Sequence, residues 1–518
     1  MNIFSNHASV LVSLAIAFAL AASLTACGGG GGGESPLTDS TAPAPGSAPP
    51  PGTTPVSGSV GLQDTAIVSR QGEGGNSASL VAIDAAGNSI AVWIKDEGFS
   101  APKKKELLAR RYVAGNGWQA VEVLTSDAST IDFSAPAITM DAVTGKAMVA
   151  WVTSTVNGQR DSAVVARAYD PASGWAAPAI VKPLALNYSV SQPVLGTDPS
   201  GNVIAVWRAF EVLSSNLYAN RYTPGGGWGT ATLLTPENGG AGDPSLAFTP
   251  NGNGLVLFNR LVSNRSTIWG IQYTAGSGWG TSAVVVDLER GQEPFRLITT
   301  YPSIASDANG NAVAVWQQDV FVPGSSSTSG FYQQGVWAKR YTGGAWSADS
   351  TLIAPPVVCS NCPRTYNPIV KMNAQGLAAV TWITGITQTE LDASSKVRVS
   401  RLLADGTWEA LLANASQGAS GFVDQYNLPD VGIDAQGNIR SVWGYKSIVN
   451  NVNDESIYTN MYAPGIGWGT VDLIENHPQT TNSPRIAVNA RGNAMTVWQQ
   501  FDNQLGTVVA GRHYNSGR

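Results

Sequence analysis

DANGNAVAVW, residues 307–316, is written repeatedly along this chain. Close copies are DAAGNSIAVW (84–93), DPSGNVIAVW (198–207) and DAQGNIRSVW (434–443). The phrase ends at Trp93, Trp151, Trp207, Phe258, Trp316, Trp382, Trp443 and Trp498. Its period is therefore about 58 residues, within the range of repeat architectures. A second phrase follows most copies, a strand-like run ending in Tyr and then a Gly-Trp turn. Examples are ANRYTPGGGW (219–228), AKRYTGGAW (338–346) and TNMYAPGIGW (459–468). Its tryptophans are Trp118, Trp175, Trp228, Trp279, Trp346, Trp408 and Trp468.

One unit holds four short apolar runs: PSIAS (302–306), NAVAVWQQ (311–318), GVWAKRY (335–341) and STLIA (350–354). Runs of this length, rich in Val, Ile and aromatics and bounded by Gly and Asn, read as strands. Val313 and Val315 alternate with Ala314 and Trp316, so both faces of the second strand are apolar. Such a strand belongs where sheets stack face to face. In the turn between the first two strands, Asp307 takes the first position and Gly310 the fourth, as a type I turn prefers. Asn373 and Asn489 replace the Asp in two copies and suit the same turn. Radial stacking of eight such units predicts an all-β fold, a β-propeller of eight four-stranded blades. The last unit stops after GRHYN (511–515) without a Gly-Trp strand. Val60 to Ser69 fits as the missing outer strand, so the N- and C-terminal segments are expected to pair and close the ring.

The expected domain organisation is a signal peptide over 1–26, a lipidated Cys and tether over 27–58, and the propeller over 59–518. The apolar core VLVSLAIAFALAA (10–22) is too short to span a membrane, since a spanning helix needs about 20 residues. It leads into Leu24-Thr25-Ala26-Cys27, which is similar to the lipobox of bacterial lipoproteins. That resemblance implies a lipid (palmitate) on Cys27, although the first Lys or Arg of the chain is Arg70. Six glycines and a Pro, Ser, Thr and Ala-rich stretch follow, too poor in apolar surface to order themselves. By the same resemblance, Gly28 after Cys27 implies the outer membrane. The expected location is the cell envelope, with a membrane partner through the lipid.

The repeats themselves resemble a broad group of bacterial secreted and lipoprotein repeat proteins carrying DxxGN…AVW and NRY…GW phrases. The likeness covers about residues 70 to 515 and implies fold rather than function. Similarity to sialidase-type Asp boxes is distant, because two residues separate Asp from Gly. Quinoprotein-type propellers are matched only once, at DAVTGK (141–146). WD-repeat propellers need a Trp-Asp pair that none of the copies carries.

Charged residues are 13% of the chain and the net charge is −6, with no basic cluster beyond Lys103, Lys104 and Lys105. Nucleic acid is therefore not an expected partner. After Cys27 the histidines are His477 and His513, too few for a His-based metal cluster or a Ser-His-Asp triad. No metal, cofactor or catalytic residue is assigned. Cys359 and Cys362, in CSNC among prolines, read as a disulfide-closed loop in an oxidising compartment. The repeated tryptophans read as core and inter-blade packing. Arg111, Arg221 and Arg340 read as inter-blade hydrogen-bonding posts. In a four-stranded meander the Asp-Gly and Gly-Trp turns share one face. The long, non-repetitive connections share the other, where function usually lives. Candidate ligand contacts there are Arg290, Phe295, Arg296, Phe331, Tyr332, Arg364, Tyr366, Asp424 and Tyr426, a mixture of aromatics and Arg typical of binding patches. The expected function is a monomeric, lipid-anchored binding propeller without catalysis, for a glycan or an envelope protein. The alternatives are a sialidase-like glycoside hydrolase or lyase, and an envelope-assembly scaffold. Hydrolysis would draw on carboxylates such as Asp287, Glu289, Glu293, Asp319, Glu390, Asp392 and Asp424.

Overall fold

The computed structural model describes residues 65–69, 76–96, 104–128, 131–155, 162–185, 189–211, 214–236, 240–262, 265–286, 299–323, 330–354, 364–385, 396–409, 428–449, 452–475, 480–502 and 506–516. Cys27, the lipobox and the tether fall outside these residues, as do Cys359 and Cys362.

Every described element is a strand, and the strands form eight antiparallel sheets. In blade one the order is Asn76–Ile83, Ser89–Asp96, Lys104–Val113, Gly117–Ala128, each strand pairing with the next. The same meander recurs in the other blades. The first strands of consecutive blades touch one another all the way round, from Asn76–Ile83 through to Thr481–Val488 and back. They therefore line the axis, and the chain forms an eight-bladed β-propeller. In blade six three strands are described; the residues after Glu409 that would supply its outer strand lie outside the described set.

Closure is as the sequence predicts. Ala66–Ile67 pairs antiparallel with the last strand, Ala66 opposite Gly511 and Ile67 opposite Ala510. The first segment thus becomes the outer strand of blade eight, and Val68 is fully buried against Trp93, Leu108 and Val509. No open seam remains between the first and last blades.

The repeated aromatic on each second strand is the centre of an inter-blade core. Trp93, Trp207, Phe258, Trp316, Trp382, Trp443 and Trp498 are 0% exposed and Trp151 is 1% exposed. The repeated Gly-Trp turn folds its indole against the repeated Tyr: Tyr112 on Trp118, Tyr273 on Trp279 and Tyr462 on Trp468 are edge-on at 5.0–5.6 Å between ring centroids. Where two inner strands approach most closely, a side chain has no room. A Cβ on Gly196 would collide with Phe248 of the next blade, and one on Gly432 with Val488.

The Asp turns behave as their sequence implies. Asp84 Oδ1 accepts hydrogen bonds from the backbone N–H of Ala86 and Asn88, and its Oδ2 accepts one from Asn88 Nδ2. Asp307 and Asp434 repeat the arrangement. The substitute Asn489 keeps the two backbone bonds and turns its amide outward, donating to the Asp84 carbonyl of the neighbouring blade at 2.9 Å.

Arg111 bridges two blades as expected, and a second set of posts stands one residue before it in the repeat. Arg110 Nη1 donates to the carbonyls of Ile67 and Val68, and Arg167 Nη1 to those of Val123 and Leu124. Asn220 and Lys339 at the same position donate to Val181 and Val285. Each bond reaches the outer strand of the preceding blade. Arg111 contacts Glu122 and, across the blade boundary, the Tyr169 hydroxyl at 3.0 Å. The reason is the two-residue period of a strand: the residue two before Tyr shares that ring's face, and Arg111 points the other way.

Candidate functional site at the channel mouth

The inner strands begin at the face opposite the Asp turns, and there they share a second repeat. In blade five, Thr300 pairs with Gln317 and Ser303 with Val315, leaving Tyr301 and Pro302 together opposite Trp316. The same slip occurs between Ser77 and Leu80, Tyr366 and Ile369, and Asn482 and Arg485. It is a β-bulge in the strand nearest the axis. Its middle residue adopts a left-handed backbone: φ is 53° at Ala78, 54° at Tyr301, 45° at Asn367 and 54° at Ser483. In three of these the next residue is Pro302, Pro368 or Pro484, and a residue before proline is ordinarily driven to extended φ and ψ. Non-glycine residues held this way store of order 1–3 kcal/mol each, and bulges of this kind re-aim side chains beside functional sites.

The proline carries the sequence signal for this ring. Pro136, Pro193, Pro244, Pro302, Pro368, Pro429 and Pro484 all stand at the start of an inner strand. Pro193 precedes Trp207 by the same spacing as Pro302 precedes Trp316 and Pro484 precedes Trp498. Most of these prolines are buried, whereas Gln192, Asp243 and Tyr301 before three of them are exposed. A buried proline anchors the start of the strand, and the preceding side chain is presented at the mouth. The motifs that predict the fold do not include this proline, so sequence reasoning missed the ring.

Three chemically capable groups occupy neighbouring blades at this mouth. Tyr301 is 57% exposed. Asp243, at the equivalent position before Pro244, has a side chain 69% exposed and lies 3.4 Å from Arg208 Nη1 of the preceding blade. The Arg208 guanidinium is stacked 3.9 Å over the Phe210 ring, and its Nε has no hydrogen-bond partner. Burial pulls the Arg208 pKa down and the Asp243 carboxylate opposes that shift; the group stays cationic at any working pH. Blades four and five are tied just below, where the Ile304 N–H donates to Ser245 Oγ at 3.1 Å. That bond lies two residues from Asp243 and three from Tyr301, so it holds the starts of both inner strands side by side. A phenol, a carboxylate and a guanidinium in one open mouth can move a proton and bind an anion.

The expected site residues divide into three groups. Tyr366 pairs with Ile383 directly before the Asn367 bulge, and Arg364 lies two residues earlier opposite Gly385, so both backbones enter the mouth. Phe331 and Tyr332 stand opposite Val322 and Phe321 on the arm of blade five that extends from the same face. Arg290, Phe295, Arg296, Asp424 and Tyr426 lie outside the described residues. Of the carboxylates considered for hydrolysis, Asp319 is placed on the blade five arm opposite Gln334; the others lie outside the described residues.

No family model and no curated protein matches this chain. Solved structures do. An ulvan lyase, from a polysaccharide lyase family, is 12% identical over 70% of this chain and 89% of its own, with a TM-score of 0.44. A second polysaccharide lyase is 8% identical over 73% and 89%, with a TM-score of 0.45. An α-L-arabinofuranosidase of Fusarium graminearum is 14% identical over 74% and 93%, with a TM-score of 0.38. The likeness is one of fold. The expectation of a propeller that binds without catalysis is corrected by these three neighbours, which are carbohydrate-cleaving enzymes.

Proposed function

We propose that this chain is a carbohydrate-cleaving enzyme whose site is the channel mouth on the loop face, and that the reaction is elimination from a uronate-containing polysaccharide. The observation that carries the reading is Tyr301, exposed and fixed in a left-handed bulge, on the blade next to the exposed Asp243 carboxylate and its largely buried partner Arg208. Asp243 is largely exposed, so a substrate carboxylate can displace it from the more buried Arg208. A guanidinium on that carboxylate acidifies the C5 proton of the sugar. The released Asp243 carboxylate takes the proton; the bond from C4 to the glycosidic oxygen breaks, and the C4–C5 double bond forms. The Tyr301 phenol protonates the departing oxygen, which becomes the new hydroxyl, and regains a proton from solvent. Aromatic residues at the strand ends of this face, such as Tyr332 and Tyr366, are of a type that stacks on flanking sugars.

A hydrolytic reading keeps Asp243 as one of two carboxylates, with a partner from the loops about 5–10 Å away. One experiment separates elimination from hydrolysis. The full chain is incubated with uronate polysaccharides and with neutral arabinans, and both reducing ends and the ultraviolet absorbance of unsaturated uronides are followed. Reducing ends with the absorbance support elimination; reducing ends without it support hydrolysis. Neither signal on any substrate refutes the assignment as an enzyme.

We further infer that Cys27 carries a lipid and tethers the propeller in the bacterial envelope. Support comes from the LTAC motif and the glycine-rich segment after it. Mass spectrometry of the N-terminal peptide would find acyl chains on Cys27, and Cys27→Ala would release the protein from membranes.

A further inference from the structure

The opposite face carries a second feature, unconnected with the mouth. A cleft of about 160 Å³ opens between the Asp turns of blades four and five. It exists because blade four breaks the repeat. Thr249 stands where Asp84, Asp198, Asp307 and Asp434 stand in other blades. Those carboxylates fill the space against the next turn: a methyl built on Gly145, Gly252, Gly376 or Gly492 would meet the Oδ2 of Asp84, Asp198, Asp307 or Asp434 within 3.4 Å. At Gly310, which faces Thr249, a methyl would meet nothing within 4 Å. The Thr249 hydroxyl is turned back onto Asn251 and the Asn253 carbonyl within its own turn. Asn253 consequently lacks the carboxylate that holds the matching Nδ2 of Asn88, Asn202, Asn311 and Asn438.

The lining is polar and uncharged. Asn251, Asn253, Gln272 and Asn309 contribute amides, and Ser306 and Tyr341 contribute hydroxyls. Tyr341 is only 7% exposed, and its hydroxyl has no hydrogen-bond partner. A buried hydroxyl left unpaired costs about 1–3 kcal/mol, which a ligand oxygen would recover. Burial also pushes the Tyr341 pKa up, so the phenol remains a donor. Neutral donors and acceptors, converging without a charge in a space the size of one sugar ring, suit a neutral polyhydroxylated ligand. From this geometry we propose that the cleft between blades four and five is a binding subsite for one neutral sugar unit, separate from the channel mouth and on the opposite face.

The test is titration of the full chain with the methyl glycosides of glucose, galactose and arabinose, with glucuronate as the charged counterpart, followed by ligand-detected NMR. At least one neutral glycoside is expected to bind, and more tightly than glucuronate. Tyr341→Phe removes a hydroxyl that nothing in the fold uses, and should weaken binding at least about fivefold without lowering the melting temperature. Thr249→Asp restores the residue of the other blades, returns Asn253 to a carboxylate and closes the gap; it should abolish binding. Cleavage at the mouth should be unchanged in both variants, so loss of one function is not read as loss of the other. No binding of any neutral glycoside, tighter binding of glucuronate, or binding that survives both substitutions would overturn the proposal.

Discussion

The imidazole of His513 lies stacked on the phenol ring of Tyr112, 4.4 Å between centroids, across the seam where the last blade meets the first. The Tyr112 hydroxyl is 3.3 Å from His513 Nδ1, and Nε2 is buried without a partner. Burial holds the imidazole pKa below its ordinary value of about 6.5. The unfolded chain therefore takes up a proton at a pH where the folded chain does not. The stability this residue contributes is complete above about pH 6.5 and is lost as the pH falls toward the folded value, by up to about 1.4 kcal/mol per pH unit. The melting temperature should drop between about pH 7 and about pH 5, and His513→Gln should flatten that drop. An equal slope in the variant would show that the seam histidine is not responsible.

Closure of the ring depends on a two-residue strand, so its anchor matters more than its length. Val68 is fully buried beside that strand, and its carbonyl accepts from Arg110. Val68→Ala removes two buried methyl groups and leaves a cavity, and should cost about 2 kcal/mol. Denaturant unfolding with an unchanged slope and a lower midpoint would report it.

The repeated Asp is a turn-builder, and Asn already serves at Asn373 and Asn489 with the same two backbone acceptor bonds. Asp307→Asn is therefore expected to change stability by less than about 0.5 kcal/mol, whereas Asp307→Ala leaves two N–H groups unpaired and should cost about 1–2 kcal/mol. Thermal melts of the two variants side by side decide this.

At the mouth, Tyr301→Phe keeps the ring and removes the ionisable hydroxyl. It should lower kcat/KM by roughly 100-fold, the lower end of what a positioned acid or base supplies. Arg208→Gln should lower it by a comparable factor on uronate substrates. The melting temperature should hold in Tyr301→Phe, because an exposed phenol contributes little to packing. Unchanged rates in both variants would remove the mouth as the site.

The architecture was legible because each structural demand recurs in seven or all eight blades. Trp316 must fill an inter-blade core, Asp307 must tie a turn and Trp346 must cap Tyr341, so the same residue types return at the same spacing. The closing strand was legible from what the last unit lacks. The mouth was harder to read. Its exposed positions differ from blade to blade, as Ala78, Gln192, Asp243 and Tyr301 show, because packing does not dictate an exposed side chain; the proline that follows most of them is what repeats. The second set of posts went unread because Arg110 and Arg111 are both basic, and only strand direction says that Arg110 reaches the preceding blade and Arg111 the following one.

Sequence alone determined the blade number, the strand order within each blade, the turn chemistry and the pairing of the chain ends, because these follow from periodic patterns of burial and from local hydrogen bonding. Tertiary structure decided which variable residues meet. Arg208 and Asp243 are neighbours only because two blades stand side by side, and the gap opposite Gly310 exists only because Thr249 is one carboxylate short of filling it. Contacts between blades join residues far apart in the chain whose identities no local rule dictates, so they become visible only once the ring is closed.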